Sequence, residues 1–425
     1  MIKKGIIKKV TAGVMAAVMA IGTGGCGTKK QETIKADDLM KGVAAKTAIT
    51  YDGDDTELKS AVADFSVELF KNCSDGRSNI MISPASVISA LAMTFNGADE
   101  NTLKQFQDVL CGGAKIDDLN RFYSSYMRRL TGDKKATFDN ANSIWIRDGI
   151  EVKADFLQKN ADYYGAGAYS APFDAGTVDD INKWVKDNTG GFIDNIIGEL
   201  SPASVMCLVN AVYFDAGWEE PYEDCQVMDG DFTDIGGNTK KVKMMHSSDK
   251  LSYIHGDNVT GFVKPYEGNF SFVALLPDED ISVNDFVASL SGEEFLKLID
   301  ESGKANVVSA IPEFSYDYGI TLNSALADMG ITDAFNDTAD FSGITGQDDT
   351  FISEVIHKTH IDVNTDGTKA AAATAVIMEA MGTSIEDSVV YFVTLDRPFV
   401  YAIIDNDTNL PVFMGTVYSV EEIGE

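Results

Sequence analysis

The segment Val205–Trp218, VMCLVNAVYFDAGW, limits the possible folds of this chain more than any other stretch. It is a continuous apolar run rich in β-branched and aromatic residues, which is the pattern of a strand buried on both faces. Such a strand lies inside a sheet that other elements cover on each side. The sequence therefore predicts a large sheet with this segment near its centre.

Helices and strands are unevenly distributed along the chain. In the first half, residues 57–72 and 85–98 carry apolar side chains at helical spacing, and a third helix ends at Gly190 and Gly191. Short strands dominate later, at residues 271–277, 307–314, 389–395, 399–405 and 411–420. Because no internal repeat or long linker divides the chain, we predict one mixed α+β domain.

The N-terminus has the features of a bacterial export signal. Four lysines precede an apolar run, Val10–Ile21, that is too short to span a bilayer. The small residues before Cys26 resemble a lipoprotein processing site, although Thr23 stands where that pattern usually has leucine. We expect residues 1–25 to be a signal peptide and Cys26 the lipid attachment site, with simple secretion after nearby cleavage as the alternative. Polar, unpatterned residues 26–50 are interpreted as a tether.

The chain is strongly acidic, with a formal net charge of −32. This charge repels nucleic acid and anionic lipid and makes a heparin-like polyanion an unsuitable partner. The partners expected from charge are neutral or basic. Contact with a membrane is expected only through the N-terminal lipid.

Four cysteines beyond Cys26 are widely scattered and have no metal-binding spacing, so we expect unpaired core thiols at Cys73, Cys111, Cys207 and Cys225.

Sequence motifs of an enzyme or a metal site are absent. The pair His357 and His360 falls in a predicted strand, where positions three apart face opposite sides and do not chelate one ion. The segment DNDTN at 405–409 begins like a calcium loop but has Leu410 where the turn glycine belongs, which indicates a hairpin turn. No nucleophile elbow, P-loop or zinc-protease motif occurs. We expect no cofactor, no metal and no enzymatic activity.

The order of several specific motifs resembles the serpin family across residues 55 to 420. The segments that carry the resemblance are NIMISPASVISALAMTFNGA (79–98), INKWVKDNTGGFID (181–194), LVNAVYFDAGW (208–218), AIPEFSYDYGITLNSALADMGITDAFNDTADFSGI (310–344), IHKTHIDVNTDGTKAAAAT (356–374) and DRPFVYAIIDNDTNLPVFMGTV (396–417). The resemblance implies a serpin domain over residues 51–425. It also implies an α+β fold of three β-sheets and eight or nine helices, with an exposed reactive-centre loop before Arg397.

Serpins present this loop as a substrate for a serine protease, and the cleaved loop then inserts into the main sheet while the protease is still attached as an acyl-enzyme. The resemblance places the hinge of that loop at Gly367, Thr368, Lys369, Ala370, Ala371, Ala372, Ala373 and Thr374. On a strand, Thr368, Ala370, Ala372 and Thr374 share one face, while the charged Lys369 lies on the other. One face can therefore be buried without burying a charge.

The small hinge residues also leave alternatives open. An exposed alanine-rich helix is a possible resting conformation, because alanine is the best helix former. The family commonly has glutamate where this chain has Thr365, and we expect a mild effect from that departure. Non-inhibitory serpins usually carry larger residues, charges or proline in the hinge, which this chain does not.

Two ways of counting give different reactive bonds. Counting about fourteen residues from Gly367, the length that the sheet receives, gives Met381–Gly382. Counting back roughly eleven residues from Pro398 gives a bond near Asp387, six residues further on. We prefer the first count, because the sheet fixes the inserted length. Met381 suits elastase-like proteases, then chymotrypsin- or subtilisin-like ones, and residues 370–390 contain no Lys or Arg that would fit a trypsin-like pocket.

The resemblance also assigns supporting residues. The shutter, a polar cluster beneath the opening point of the sheet, corresponds to Ser83, Ser86, Asn210 and His357. The breach, where the loop enters, corresponds to Trp218.

The resulting hypothesis is a monomeric, exported inhibitor that traps serine proteases in covalent complexes on the extracellular side of a bacterial membrane. A non-inhibitory binding or chaperone-like serpin, a hydrolase and an inhibitor of cysteine proteases are the rival hypotheses. The physiological target protease is left open by the sequence.

Overall fold

Two hydrogen-bonded sheets and ten α-helices make up the part of the chain that the computed structural model describes, namely residues 34–46, 51, 56–201, 203–346, 350–368 and 389–423. The helices are α1 (Thr56–Cys73), α2 (Pro84–Phe95), α3 (Glu100–Cys111), α4 (Ile116–Leu130), α5 (Ala154–Tyr163), α6 (Ala175–Asn188), α7 (Val283–Ser289), α8 (Gly292–Asp300), α9 (Asn323–Asp328) and α10 (Ser342–Thr345). None of these helices combines the length and apolar character needed to cross a membrane.

Sixteen strands build the two sheets in the part of the chain that the structure describes. They are β1 (Asp37–Asp38), β2 (Ile80–Ile82), β3 (Thr137–Arg147), β4 (Gly167–Ala171), β5 (Met206–Gly217), β6 (Val227–Thr233), β7 (Thr239–His255), β8 (Val259–Pro265), β9 (Phe270–Pro277), β10 (Gly303–Pro312), β11 (Phe314–Thr321), β12 (Ile352–Val363), β13 (Gly367–Thr368), β14 (Val390–Thr394), β15 (Phe399–Asp405) and β16 (Pro411–Val417). The prediction of a mixed α+β fold is confirmed.

Sheet A has seven strands in the order β1-β4-β3-β5-β13-β12-β11. Its long central strand β5 is buried along nearly its whole length, as its continuous apolar sequence predicts. The N-terminal half of β5, from Met206 to Ala211, pairs in parallel with β12.

Sheet B has nine strands in the order β14-β10-β7-β8-β9-β15-β16-β2, with β6 attached to β7. The 17-residue strand β7 pairs with β6, β10 and β8. Because of these pairings, sheet B is one continuous hydrogen-bonded sheet. The described residues therefore form two sheets, where the resemblance implies three. Short helices such as the four-residue α10 bring the helix number among the described residues to ten rather than eight or nine.

Helix α2 fills the space between the sheets. All twelve of its residues are buried, as expected for a helix that is apolar on every side, and it packs against β5, β3 and β16. Ser83 caps its N-terminus by accepting a hydrogen bond from the Ser86 N–H at 3.3 Å, and Pro84 occupies the first turn. This cap places both serines directly beneath the centre of sheet A.

Residues 35–46, which the sequence analysis assigns to the tether, contact the edge of sheet A and helix α6. The Asp180 carboxylate accepts hydrogen bonds from the N–H groups of Lys35 and Ala36, and β1 pairs with β4 at the edge of sheet A. Residues 35–46 therefore do not behave as an unattached tether. Backbone pairing to an edge strand requires no apolar side-chain pattern, so the polar sequence does not reveal it.

Candidate functional site

In sheet A, strands β5 and β12 are separated from each other near the C-terminal end of β5, at Ala216 and Gly217. This end is called the upper end, or top, of the sheet. The two strands pair directly from Met206 to Ala211, where Ala211 faces Lys358. Higher up, β13 lies between them: Gly367 faces Gly217 of β5, and Thr368 faces Ala216 of β5 and Val363 of β12. Between these levels no backbone pairing joins β5 to β12 among the described residues. Gly367 and Thr368, the described residues of the predicted hinge, therefore already lie at the top of the sheet, above a stretch where the two strands are separated.

The chain reverses direction between β12 and β13 in a turn at residues 364–366. Within the turn, the Asn364 N–H donates to the Gly367 carbonyl at 2.9 Å, and the Asp366 N–H donates to the Asn364 side chain at 3.0 Å. The backbone N–H of Trp218 donates to the Asp366 carbonyl at 2.9 Å, and that of Tyr222 donates to the Thr365 carbonyl at 3.0 Å. The backbones of Trp218, the predicted breach residue, and of Tyr222 thus hold the turn by hydrogen bonds.

Gly367 is required at its position by close backbone approach. A Cβ atom there would lie 2.2 Å from the carbonyl oxygen of Ala216, and the φ of +157° is one that other residues rarely adopt. Gly367, predicted as the first hinge residue, is therefore the residue that lets the chain enter between the strands.

An aromatic cluster surrounds the entry point. Trp218 is buried, and its indole N–H donates to the Asn364 carbonyl at 2.9 Å. Its ring stacks on Tyr266 at 4.4 Å between centroids, and the Tyr266 hydroxyl forms a hydrogen bond with the Thr368 hydroxyl. The breach therefore contacts both the turn and the first inserted residues.

Lys264 brings a buried positive charge to the same cluster. Its Nζ lies 4.6 Å from the ring centroid of Tyr222, 5.5 Å from that of Trp218 and 3.6 Å from the Asp249 carboxylate. Burial lowers the pKa of Lys264, while the Asp249 carboxylate acts in the opposite direction. Sequence reasoning missed both Lys264 and Tyr266. An isolated bridge between Tyr266 and Trp218 joins the two segments, and nothing in the sequence indicates that bridge.

The four shutter residues come together beneath the parted region. The Asn210 side-chain amide donates to the carbonyl oxygen of Ser86 at 3.0 Å and contacts the Ser86 hydroxyl and the Asn142 side chain. Asn210 also pairs with His357 across β5 and β12, and their side chains form a hydrogen bond. The cluster thus joins the two strands one residue pair below the last pair before the separation.

His357 is held in one neutral tautomer. Its Nε2 accepts a hydrogen bond from the Ser83 N–H at 3.1 Å, so the ring proton is on Nδ1 and is donated to the Asn210 side-chain oxygen. Complete burial lowers the pKa of His357 to about 3. A second ring proton on Nε2 would face the Ser83 N–H, so the geometry also disfavours the charged form.

Several site residues predicted from the sequence lie outside the described part of the chain. These are Cys26, Lys369, Ala370, Ala371, Ala372, Ala373, Thr374, Met381 and Gly382. Thr368 is the last described residue of the hinge and is 2% exposed. The next described residue is Val389, just before the edge strand β14, which pairs with β10.

The two histidines of the H-K-T-H segment face different environments, as their spacing on a strand predicts. His357 is fully buried, whereas His360 is partly exposed, with its Nδ1 2.8 Å from the Asp317 carboxylate. Among the described residues, no three His, Cys, Asp or Glu side chains are grouped as metal ligands would be.

The cysteines and the DNDTN segment also have clear structural positions. Cys73, Cys111 and Cys207 are free and buried, as expected, whereas Cys225 is free but exposed and is not a core residue. The DNDTN segment forms the turn between β15 and β16, which confirms the hairpin.

Comparisons with known proteins agree with this architecture. The family described as Serpin (serine protease inhibitor) matches residues 60–420. The leukocyte elastase inhibitor of Equus caballus is 33% identical over 377 residues, covering 84% of this chain and 98% of that protein. A serpin-like protein of Thermococcus kodakarensis is 28% identical over 383 residues, covering 89% of each chain. The native-state structure of the thermophilic serpin tengpin superposes with a TM-score of 0.85 at 45% identity, covering 91% of this chain and all of that one. The chain therefore belongs to the serpin family.

Proposed function

We propose that this serpin inhibits serine proteases as a suicide substrate, with insertion of its cleaved loop into sheet A. The observation that carries the proposal is the position of Thr368, which lies between β5 and β12 at the top of sheet A. Insertion of the residues that follow would extend a strand that has already started.

The composition of the hinge supports insertion. Thr368 is buried, and strand alternation would put Ala370, Ala372 and Thr374 on the same face after insertion. None of these side chains carries a charge or needs much space. The separated stretch of β5 and β12 lies directly ahead of them, so the first inserted residues would break no existing pairing between the two strands.

The proposed targets are elastase-like proteases first, then chymotrypsin- and subtilisin-like ones. The reactive bond is Met381–Gly382, whose medium-sized apolar side chain matches such specificity pockets. The similarity to a leukocyte elastase inhibitor supports the same order. We propose that the protein acts as an inhibitor and not as an enzyme.

We also propose that the protein is exported and held at the outer face of a bacterial membrane by a lipid on Cys26. Residues 27–34 would then be the tether, since the folded unit begins at Lys35. The protein would act as a monomer, and its acidic charge disfavours nucleic acid and heparin-like partners. The lipid would be its only membrane contact.

A matched pair of hinge variants tests the inhibitory mechanism. Ala370→Arg places a charge on the face to be buried, while Ala371→Arg places the same charge on the opposite face of the inserted strand. We expect Ala370→Arg to turn the inhibitor into a substrate, whereas Ala371→Arg keeps most of its inhibition. The measurement is residual elastase activity at increasing inhibitor-to-protease ratios.

The same assay separates the rival functions. Cleavage of the wild-type chain by elastase, chymotrypsin, subtilisin and papain without loss of protease activity would indicate a non-inhibitory serpin. Loss of papain activity alone would indicate a cysteine-protease inhibitor. Turnover of generic ester and peptide substrates by the purified chain would indicate a hydrolase.

A further inference from the structure

We propose that Tyr266 is a positioning residue whose hydroxyl holds Thr368 in sheet A, so that loop insertion starts from a hinge that is already seated. This inference deepens the proposed function and rests on it. The proposed role of Tyr266 concerns the first step of loop insertion, which decides whether a cleaved loop traps the protease.

The ring of Tyr266 is fixed from several sides. It stacks on Trp218 with an interplanar angle of 7° and meets Phe214 edge-on at 5.5 Å between centroids. The Tyr266 N–H donates to the Phe270 carbonyl at 3.1 Å, and the neighbouring Glu267 N–H donates to the Gly217 carbonyl at 2.7 Å. The hydroxyl is therefore held at a set position relative to the upper end of β5.

Thr368 depends on that hydroxyl. Its side chain is 2% exposed, and the Tyr266 hydroxyl is its only side-chain hydrogen-bond partner among the described residues. A buried hydroxyl that loses its partner is costly, because it no longer bonds to water either. Removing the Tyr266 hydroxyl would therefore favour states in which Thr368 leaves the sheet.

The seated position also has the register that an inserted strand needs. Thr368 is antiparallel to both β5 and β12, facing Ala216 on one side and Val363 on the other. Extension of this strand keeps the contact between Tyr266 and Thr368, because later residues enter below it. The hydrogen bond thus supports the start of insertion without opposing its completion.

The position of Thr368 affects the competition between loop insertion and hydrolysis of the acyl-enzyme. The protease serine attacks the carbonyl of Met381 and forms an ester. The peptide bond to Gly382 breaks, and the Gly382 nitrogen leaves as an amine that takes up the proton of the serine hydroxyl. Water then hydrolyses the ester, restoring the serine and leaving a carboxylate on Met381, unless insertion comes first. A hinge that leaves the sheet must be seated again before insertion, so more acyl-enzyme is hydrolysed.

Tyr266→Phe tests this inference in the full chain, with Tyr316→Phe as the matched control. Tyr316 has a hydroxyl that bonds to the Ile80 carbonyl and to the Tyr401 hydroxyl, and it forms no hydrogen bond with the described hinge residues Gly367 and Thr368. We expect Tyr266→Phe to raise the ratio of cleaved to trapped inhibitor roughly fivefold, the effect of losing one buried hydrogen bond. The rate of loop cleavage should not change, and Tyr316→Phe should leave the ratio as in the wild type.

A second measurement needs no protease. Amide hydrogen exchange at residues 364–368 should accelerate by a similar factor in Tyr266→Phe and in Thr368→Val, while Thr368→Ser should retain the wild-type exchange rate and partition. Unchanged exchange in Tyr266→Phe would overturn the proposal, and so would faster exchange with unchanged partition. If the wild-type chain forms no trapped complex, the proposed function fails, and the exchange data decide separately whether Tyr266 holds the hinge.

Discussion

Acidification should destabilise this protein through a single buried imidazole, that of His357. Burial lowers its pKa to about 3, whereas an unfolded histidine titrates near 6.5. Above pH 6.5 both states are neutral, and the group has no effect on stability. Between the two pKa values the unfolded chain binds a proton that the folded chain excludes, so stability falls as the pH falls.

The size of the effect follows from the separation of the two pKa values. Each pH unit between them removes about 1.4 kcal/mol, so the free energy of unfolding should drop by about 2–3 kcal/mol from pH 6 to pH 4 because of His357 alone. Other groups also titrate in this chain of 66 acidic residues. Comparison with His357→Gln isolates the contribution, because the variant lacks this titration.

Two assays measure the prediction. Urea unfolding at pH 6 and pH 4 should show a smaller loss of stability in His357→Gln than in the wild type. NMR of histidine-labelled protein resolves only four imidazoles, and the signal lost in His357→Gln should show a neutral ring down to about pH 4. An imidazole that titrates near pH 6.5, or equal losses of stability in the two proteins, would refute the reasoning.

Further predictions concern the hinge, a partly buried ion pair and the thiols. Gly367→Ala should displace the hinge, because its Cβ would collide with a backbone carbonyl, and more inhibitor should be cleaved without trapping; wild-type partition would contradict this. Arg129→Ala should lower the unfolding free energy by about 2–3 kcal/mol in urea, because it leaves the buried Asp405 carboxylate without its cation; a loss below about 0.5 kcal/mol would count against that role. Iodoacetamide should label the exposed Cys225 in the folded protein but not Cys207, whose pKa is raised by burial; peptide mapping decides, and labelled Cys207 would be the contrary result.

The elements that could be predicted from the sequence are those whose pattern of apolar residues indicates which of their faces are buried. Strand β5 is apolar throughout because both of its faces are covered, and α2 shows apolar side chains at helical spacing because it packs against strands of both sheets. The shutter residues could be named because the motifs that carry them occur in family order.

The features that sequence reasoning missed depend on contacts between distant segments. Tyr266 meets Thr368 across 102 positions of the chain, and a tyrosine after a strand is not by itself a signal for a hinge contact. The attachment of residues 35–46 rests on main-chain hydrogen bonds and on Asp180, which leave no apolar pattern. The seating of the hinge depends on how far β5 and β12 separate, which is a property of the whole sheet.

The most direct test of the account is to mix the purified chain with elastase and to follow the products on denaturing gels and by mass spectrometry. We predict a complex of chain and protease that survives denaturation, together with a released C-terminal peptide that begins at Gly382. A complex with a peptide that begins near Asp387 would move the reactive bond but keep the mechanism. Complete cleavage of the loop with full elastase activity and no stable complex would contradict the claim that this serpin traps its target.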